Sequence, residues 1–161
     1  MTELQDEQLK DPEHGDKKPL RIIHIEDDEE MRGLIEEEVK KFPDVEFIAS
    51  FPSTKEAKDY LLKLRSENKE LPDGIVSDND LGFGKTTGIQ FAKELKKLGF
   101  EIPVVLFTGY AKELRSLSEE YLDGIGVKSI VDKNALESTE NLVGILKEIG
   151  LSSNMPQNKP Q

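Results

Sequence analysis

Five side chains that could take part in phosphoryl chemistry stand where short apolar runs of this sequence end. Glu26 and Asp27 follow the first run, Asp78 follows a later one, and Thr108 and Lys133 follow two more. Carboxylates that lie close together repel one another unless a cation compensates, and carboxylate oxygens are typical Mg²⁺ ligands. A hydroxyl and an ammonium beside such a cation form a cradle for a phosphoryl group. A carboxylate within that cradle can act as the nucleophile, which gives an aspartyl phosphate.

The spacing of the apolar residues predicts the elements that would bring these side chains together. Short apolar runs alternate with stretches in which apolar residues recur at helical spacing. The predicted strands are residues 20–25, 45–49, 74–77, 103–107 and 127–131. The apolar character of the fourth strand is typical of a parallel sheet that is buried on both faces. Five strand–helix units in succession predict an α/β fold with helices on both sides of the sheet.

Ligands of such open sheets bind beyond the carboxyl ends of the strands, where the strand order reverses. The second strand ends near Ser50 without a reactive group, which is consistent with a place at the sheet edge. Ser53 and Glu56 have the form of a capping box before the second helix. The spacing of Leu114, Leu117 and Tyr121 predicts a fourth helix. His24, inside the first strand, is predicted to be a packed side chain rather than a ligand.

Composition restricts the function classes and divides the chain. Of the 161 residues, 1–19 and 151–161 lack periodic apolar patterns and are predicted to be a disordered N-terminal tail and a flexible C-terminal tail around a domain at 20–150. The net charge of −11 disfavours binding to nucleic acid or to anionic membranes. No apolar run approaches the roughly 20 residues that a membrane span needs. Cysteine is absent, which excludes disulfides, and we expect a cytoplasmic protein.

Four segments, in matching order, resemble motifs of response-regulator receiver domains. The family's first strand and acidic pair are similar to Arg21–Arg32, which reads RIIHIEDDEEMR. Its phosphoacceptor strand is similar to Pro72–Leu81, PDGIVSDNDL, and the strand that ends in its switch Thr or Ser is similar to Ile102–Tyr110, IPVVLFTGY. Lys133 stands where the family has a lysine after the fifth strand. The resemblance implies a flavodoxin-like (βα)5 doubly wound sandwich with a five-stranded parallel sheet of order 2-1-3-4-5.

The resemblance also implies a role for each matching residue. Asp78 would accept the phosphoryl group, and Mg²⁺ would be held by Glu26, Asp27, Asp78 and the backbone carbonyl of Asp80. Thr108 and Lys133 would contact the phosphoryl group. The donor would be a sensor histidine kinase or a histidine phosphotransfer protein. Without a DNA-binding output domain, the protein would signal through protein contacts or onward phosphotransfer, and it would catalyse only its own phosphorylation and dephosphorylation.

Three departures from the family pattern bear on this interpretation. Asn134 follows Lys133 where the family often has proline, so a cis X-Pro bond is excluded there. Ile130 stands where the family often has an aromatic switch residue. The loop 82–88, GFGKTTG, is longer than usual and contains Lys85. Lys85, together with Asp80 and Tyr110, could tune partner choice or phosphate lifetime.

Two alternatives remain open. The chain could be a receiver-like adaptor that signals without phosphorylation, an interpretation that the residues at 130 and 134 favour. It could also be a phosphatase of the haloacid-dehalogenase type, since the segment around Asp78 resembles the nucleophile motif of those enzymes. That motif usually follows the first strand and is accompanied by a cap, whereas here it follows the third.

Overall fold

The sheet has the predicted parallel architecture. The computed structural model of the chain describes residues 18–81 and 86–153. Its five strands pair in parallel in the order β2-β1-β3-β4-β5, which confirms the flavodoxin-like topology. The second strand lies at an edge, as expected from its lack of a reactive residue. The strands are β1 Leu20–Ile25, β2 Val45–Phe51, β3 Gly74–Ser77, β4 Val104–Thr108 and β5 Val127–Asp132.

Six helices connect or follow these strands in the described part of the chain. They are α1 Glu29–Val39, α2 Thr54–Ser66, α3 Gly88–Lys97, α4 Ala111–Leu114, α5 Glu119–Gly124 and α6 Ser138–Ser153. The last helix continues past residue 150, where the sequence predicts the end of the domain. Within the ranges that the structure describes, no helix is both long and apolar enough to cross a bilayer.

Side-chain caps determine where four of the helices begin, among them α2 and α3. Ser53 accepts a hydrogen bond from the Glu56 N–H at 3.3 Å, so it caps α2 as predicted. A full capping box stands instead at α3, where Thr87 and Gln90 bond reciprocally to each other's backbone N–H groups. Each cap satisfies a backbone donor that the first helical turn leaves free.

The predicted single fourth helix is wrong, because two short helices occupy that region. The Ser116 hydroxyl donates to the carbonyl of Glu113, and the Ser118 hydroxyl accepts the N–H of Tyr121. Serine side chains that bond to nearby backbone compete with a continuous helix. Leu117 and Tyr121 are 37% and 41% exposed, so their helical spacing does not mark a buried face.

Alternate residues of the central strands face two separate cores. Ile23 and Ile75 pack on one face of the sheet, against α2 and α3 residues such as Leu61 and Phe91. Ile22 and its neighbours on the other face pack against α1 and α6. Because both faces are covered, the central strands are mostly apolar, and the polar side chains of the site stand where the strands end.

Leu61→Ala is expected to lower the free energy of unfolding by about 2–5 kcal/mol, because the side chain is fully buried between α2 and the sheet. Leu136→Ala makes the same chemical change at a residue that is 91% exposed, and it should change stability by no more than about 0.5 kcal/mol. Urea unfolding of both variants tests the placement of α2. Equal losses in the two variants would contradict it.

Candidate functional site

Three carboxylates meet at the carboxyl ends of β1 and β3. Oxygen atoms of Glu26, Asp27 and Asp78 all lie within 4.8 Å of one another. They line an open cleft of about 300 Å³ together with Asp28, Met31, Asp80 and Lys133. Parallel pairing of β1 with β3 explains this meeting, since it places the ends of the two strands side by side.

Glu26 and Asp27 differ in their surroundings although they are adjacent in sequence. Glu26 is buried, and its N–H donates to the carbonyl of Phe51 at the end of β2. Asp27 is exposed at the cleft. The acidic turn ends at Asp28, whose carboxylate caps α1 by accepting the N–H of Met31. One side chain therefore belongs to the interior and the next is open to a ligand.

Lys133 joins the two buried carboxylates. Its Nζ lies 2.7 Å from Oε1 of Glu26 and 2.9 Å from Oδ2 of Asp78. Burial alone would lower the pKa of Lys133, but the hydrogen bonds to Glu26 and Asp78 outweigh burial and raise it. The ammonium therefore stays charged and holds the ends of β1, β3 and β5 together.

The carboxyl group of Glu26 has a raised pKa. Burial, which disfavours the charged form, is the largest cause, and the bond from Lys133 opposes it without cancelling it. The N–H of Asp28 also donates to Oε2 of Glu26, at 3.2 Å. Both oxygens of this carboxylate are thus engaged by donors of the protein.

Asp78 is held at its backbone and at its side chain. Its N–H donates to the carbonyl of Ile25, and its own carbonyl accepts the hydroxyl of Ser77 at 2.8 Å. Oδ1 accepts the N–H of Asp80 at 3.3 Å, while Oδ2 faces Lys133. The side chain remains 10% exposed, so a group in the cleft can reach this carboxylate.

Thr108 lies beside the cleft but is not among its lining residues. Its side chain is fully buried, and its Oγ1 accepts the N–H of Tyr110 at 3.1 Å. Its carbonyl accepts the N–H of Lys133 at 3.0 Å, so the two residues are joined through the backbone. Tyr110 is exposed and also lies off the cleft lining. The structure therefore brings Glu26, Asp27, Asp78, Asp80 and Lys133 to one cleft, and it joins Thr108 to Lys133 without adding Thr108 to the lining.

Two of the three departures from the family pattern, at residues 130 and 134, lie among the described residues. Ile130 is buried in the core on the α2–α3 face of the sheet. The Lys133–Asn134 peptide bond is trans, like every other peptide bond of the described residues. Lys85 and residues 82–84 of the longer loop lie outside the described residues, as do 1–17 and 154–161 of the predicted tails.

Two side chains that the sequence reasoning missed support the loops of the site. Arg32, on the first turns of α1, donates from Nη1 to the carbonyl of Glu26 at 2.7 Å. Asn79 accepts the N–H of Ile89 with its side chain and the N–H of Gly88 with its carbonyl, which ties β3 to the start of α3. A cation two residues after the acidic run Glu26–Glu30 was a usable signal for Arg32. For Asn79 no local signal existed, because its partners are far along the chain.

Gly88 is required where α3 begins. A Cβ at this position would lie 2.8 Å from the carbonyl oxygen of Asp78 and 2.8 Å from Cδ2 of Leu106. The helix can therefore approach the end of β3 this closely only if this residue has no side chain.

His24 is confirmed as a packed histidine. It is buried beside the ring of Phe47, and its Nδ1 has no hydrogen-bond partner among the described residues. Burial, followed by the charges of Lys133 and Arg32, lowers the pKa of His24 to about 3. The ring is therefore neutral at physiological pH and does not add to the charge of the site.

The chain resembles proteins that contain receiver domains. No family model matches it. It is 28% identical over 126 residues to a protein-glutamate methylesterase/protein-glutamine glutaminase of Treponema denticola, a match that covers 78% of this chain and 32% of the relative. A second such protein, of Syntrophus aciditrophicus, is 24% identical over 129 residues, covering 80% of this chain and 35% of the relative. The chain thus spans about a third of the length of the curated relatives it matches.

Solved structures of similar shape agree on the fold. The response regulator domain of Thermotoga maritima CheB matches with a TM-score of 0.66 and 16% identity, over 83% of this chain and 97% of that one. The receiver domain of Francisella response regulator 1452 matches with a TM-score of 0.61 and 20% identity, over 83% and 98%. A LuxR-family DNA-binding response regulator from Staphylococcus aureus gives 0.62 and 21%, over 81% and 98%. This chain has the fold of a response-regulator receiver domain.

The difference in the free energy of unfolding between wild type and Glu26→Gln is expected to change with pH in a defined direction. Because the pKa of Glu26 is raised in the folded protein, the folded state keeps a proton that the unfolded chain has already released. Wild-type stability, measured relative to the variant, should therefore fall as the pH rises above about 4.3, the ordinary value for glutamate. Urea unfolding at a series of pH values, with a chelator present, measures this difference.

Asp123→Asn is the matched control with the opposite sign. The hydrogen bond from Lys128 lowers the pKa of Asp123, so wild type should lose stability relative to this variant as the pH falls through the acidic range. If the stability difference from wild type changed with pH in the same direction for both variants, the conclusion that burial raises the pKa of Glu26 would be contradicted.

Proposed function

We propose that this chain is a phosphoacceptor in two-component or phosphorelay signalling and that Asp78 takes the phosphoryl group. The observation that carries the proposal is the placement of Lys133, whose ammonium contacts both Asp78 and Glu26 at the base of an open acidic cleft. A carboxylate that is held in position, beside a fixed positive charge and within reach of an open cleft, is suited to attack an electrophile that carries negative charge.

The proposed donor is a phosphohistidine of a sensor histidine kinase or histidine phosphotransfer protein. A carboxylate oxygen of Asp78 attacks phosphorus, a P–O bond forms, and the P–N bond to the histidine breaks. The leaving imidazole keeps the electron pair of that bond. Lys133 neutralises a phosphoryl oxygen, and Thr108 can donate its O–H while its oxygen still accepts from Tyr110.

The residues of the cleft fit a magnesium ion. Three carboxylates and one ammonium leave a net charge of −2 when all are ionised, and the carboxylate oxygens are spaced closely enough to share one cation. Glu26, Asp27 and Asp78 would hold Mg²⁺ together with the backbone carbonyl of Asp80. The ion would supply positive charge to the phosphoryl oxygens during transfer.

The output of this switch would be a protein contact or onward transfer of the phosphoryl group rather than DNA binding. The net charge of −11 supports this part of the proposal, because a surface with this balance repels a phosphate backbone. The same proposal places the protein in the cytoplasm, where a kinase domain can reach it, and assigns it no turnover of a separate substrate.

One observation favours the phosphorylation-independent adaptor as a second candidate. The position of the usual aromatic switch holds a buried isoleucine, Ile130. The phosphatase interpretation is less well supported, since Asp78 follows the third strand of the chain rather than the first. Turnover of a small phosphomonoester would revive it.

Wild-type protein incubated with Mg²⁺ and a small acyl-phosphate donor should gain the mass of one phosphoryl group, and Asp78→Asn should gain none. Lys133→Met should be phosphorylated roughly 100-fold more slowly, the typical effect of removing one electrostatic stabiliser of a transition state. Asp59→Asn is the control for Asp78→Asn, because it makes the same chemical change on α2, away from the cleft. Intact-mass spectrometry over time gives the rates.

An absent adduct has two distinguishable meanings. If wild type binds beryllofluoride while Asp78→Asn does not, the acceptor site is competent and the phosphoryl group is lost quickly by hydrolysis. If wild type binds neither the phosphoryl group nor beryllofluoride, the proposal is contradicted and the adaptor function is favoured.

Mg²⁺ should raise the unfolding temperature of wild type, because an ion that binds only the folded state stabilises it. Asp27→Asn should need at least about tenfold more Mg²⁺ to reach the same rise in unfolding temperature, because it removes one charged ligand. Asp28→Asn is the matched control, since asparagine caps a helix as well as aspartate does and residue 28 is not one of the three clustered ligands. Equal weakening by both substitutions would show a general charge effect instead of a defined site.

A further inference from the structure

The turn that carries Lys133 has a hydrogen-bond partner for each of three successive backbone N–H groups. The N–H of Lys133 donates to the carbonyl of Thr108 at 3.0 Å. The N–H of Asn134 donates to Oδ1 of Asp132 at 2.9 Å, and the N–H of Ala135 donates to the carbonyl of Asp132 at 3.3 Å. Asp132 therefore anchors the two residues that follow Lys133, once through its side chain and once through its backbone.

The contact between Asp132 and Asn134 depends on the departure noted at residue 134. A proline at that position would have no N–H and could not donate to the carboxylate. Asparagine supplies the donor, and the carboxylate of Asp132 closes an Asx turn around Lys133. The turn after β5 is therefore fixed in this chain by a side-chain hydrogen bond.

A second contact ties the same turn to the loop after β4. Nδ2 of Asn134 lies 3.4 Å from the carbonyl oxygen of Gly109, and a Cβ at Gly109 would lie 3.0 Å from that Nδ2. The amide is thus close to the glycine backbone, although the bond is long. The Asx turn is the shorter interaction and is the one that can be removed at a single side chain.

We propose that Asp132 is a positioning residue for Lys133. Its carboxylate fixes the turn after β5, and the fixed turn directs the Lys133 side chain along the cleft, so that the ammonium reaches Glu26 and Asp78 at 2.7 and 2.9 Å. The consequence for phosphoryl transfer rests on the proposed function, whereas the positioning itself does not.

A purely local role for Asp132 predicts something different. In that case the two carboxylates would hold Lys133 without help, and loss of the Asx turn would lower stability without changing the environment of the ammonium. The two possibilities can be separated by measuring how fast the ammonium of Lys133 reacts with an acylating reagent. The side chain of Lys133 is 12% exposed, whereas that of Lys128 is 42% exposed and serves as the reference.

The test is competitive acylation of lysines in the full chain, with chelator and without a phosphoryl donor, read by peptide mass spectrometry. In wild type, Lys133 should react more slowly than Lys128. Asp132→Ala should raise the rate at Lys133 about fivefold, the factor that corresponds to loss of one ordinary hydrogen bond. Asp132→Asn should stay within about twofold of wild type, because the carboxamide oxygen accepts the same N–H. The rate at Lys128 should not change.

Two further variants exclude trivial explanations. Asp132→Glu keeps the charge but moves the carboxylate out of reach of an Asx turn, so it should behave like Asp132→Ala. Asp73→Ala removes a similar bond, from the N–H of Arg21 to a carboxylate at 2.8 Å, at the other end of the sheet. Asp73→Ala should lower the unfolding temperature without changing the acylation rate of Lys133. The inference is overturned if Lys133 stays as protected in both Asp132→Ala and Asp132→Glu as in wild type, or if Asp73→Ala exposes it equally.

Phosphorylation rates then test the consequence separately. If wild type is phosphorylated, Asp132→Ala should slow the reaction at least about fivefold, and it should add nothing in a Lys133→Met background, since a positioning residue acts through its partner. An additive effect there would overturn the inference. If wild type is not phosphorylated although the acylation pattern is as expected, the proposed function fails and the positioning of Lys133 by Asp132 stands.

Discussion

The interaction on which the rest of this structure depends is the buried bridge from Lys133 to Glu26 and Asp78. Two carboxylates at the ends of adjacent strands would repel each other at close range, and burial of Glu26 adds to that cost. The ammonium reduces both costs, and it can do so because it arrives from the far strand β5. One side chain therefore joins three strands that are distant in sequence, and the sheet order has to be the observed one for the three groups to meet.

That bridge also explains why the site is both negatively charged and open. Lys133 compensates for part of the negative charge, and Asp27 remains exposed with its carboxylate beside the other two. Donors of the protein hold Glu26 and Asp78 in place through Asp28 and Asp80. The remaining charge faces solvent in the cleft, where a divalent cation or a phosphoryl group can meet it without disturbing the core. The excess negative charge that the fold leaves in the cleft is therefore the same feature that the proposed chemistry requires.

The comparisons show how little sequence identity this fold needs. Solved receiver domains share the fold at 16–21% identity, and no family model matches the chain. In this chain the turn after β5 contains a hydrogen bond from Asn134 to Asp132 that a proline at residue 134 could not form.

The sequence by itself determined the sheet and the residues at its carboxyl edge. Apolar runs bounded by Glu26, Asp78 and Lys133 predicted the strands to within a few residues, because burial on both faces leaves a continuous apolar signal. Only the tertiary structure decided the rest. Division of the fourth helix depended on serine hydroxyls that compete with the backbone, and Leu117 and Tyr121 gave a misleading periodicity since neither is buried. The contacts of Arg32 and Asn79, the recessed hydroxyl of Thr108 and the raised pKa of Glu26 all arise from groups that the fold brings together, and no local sequence pattern encodes such distances.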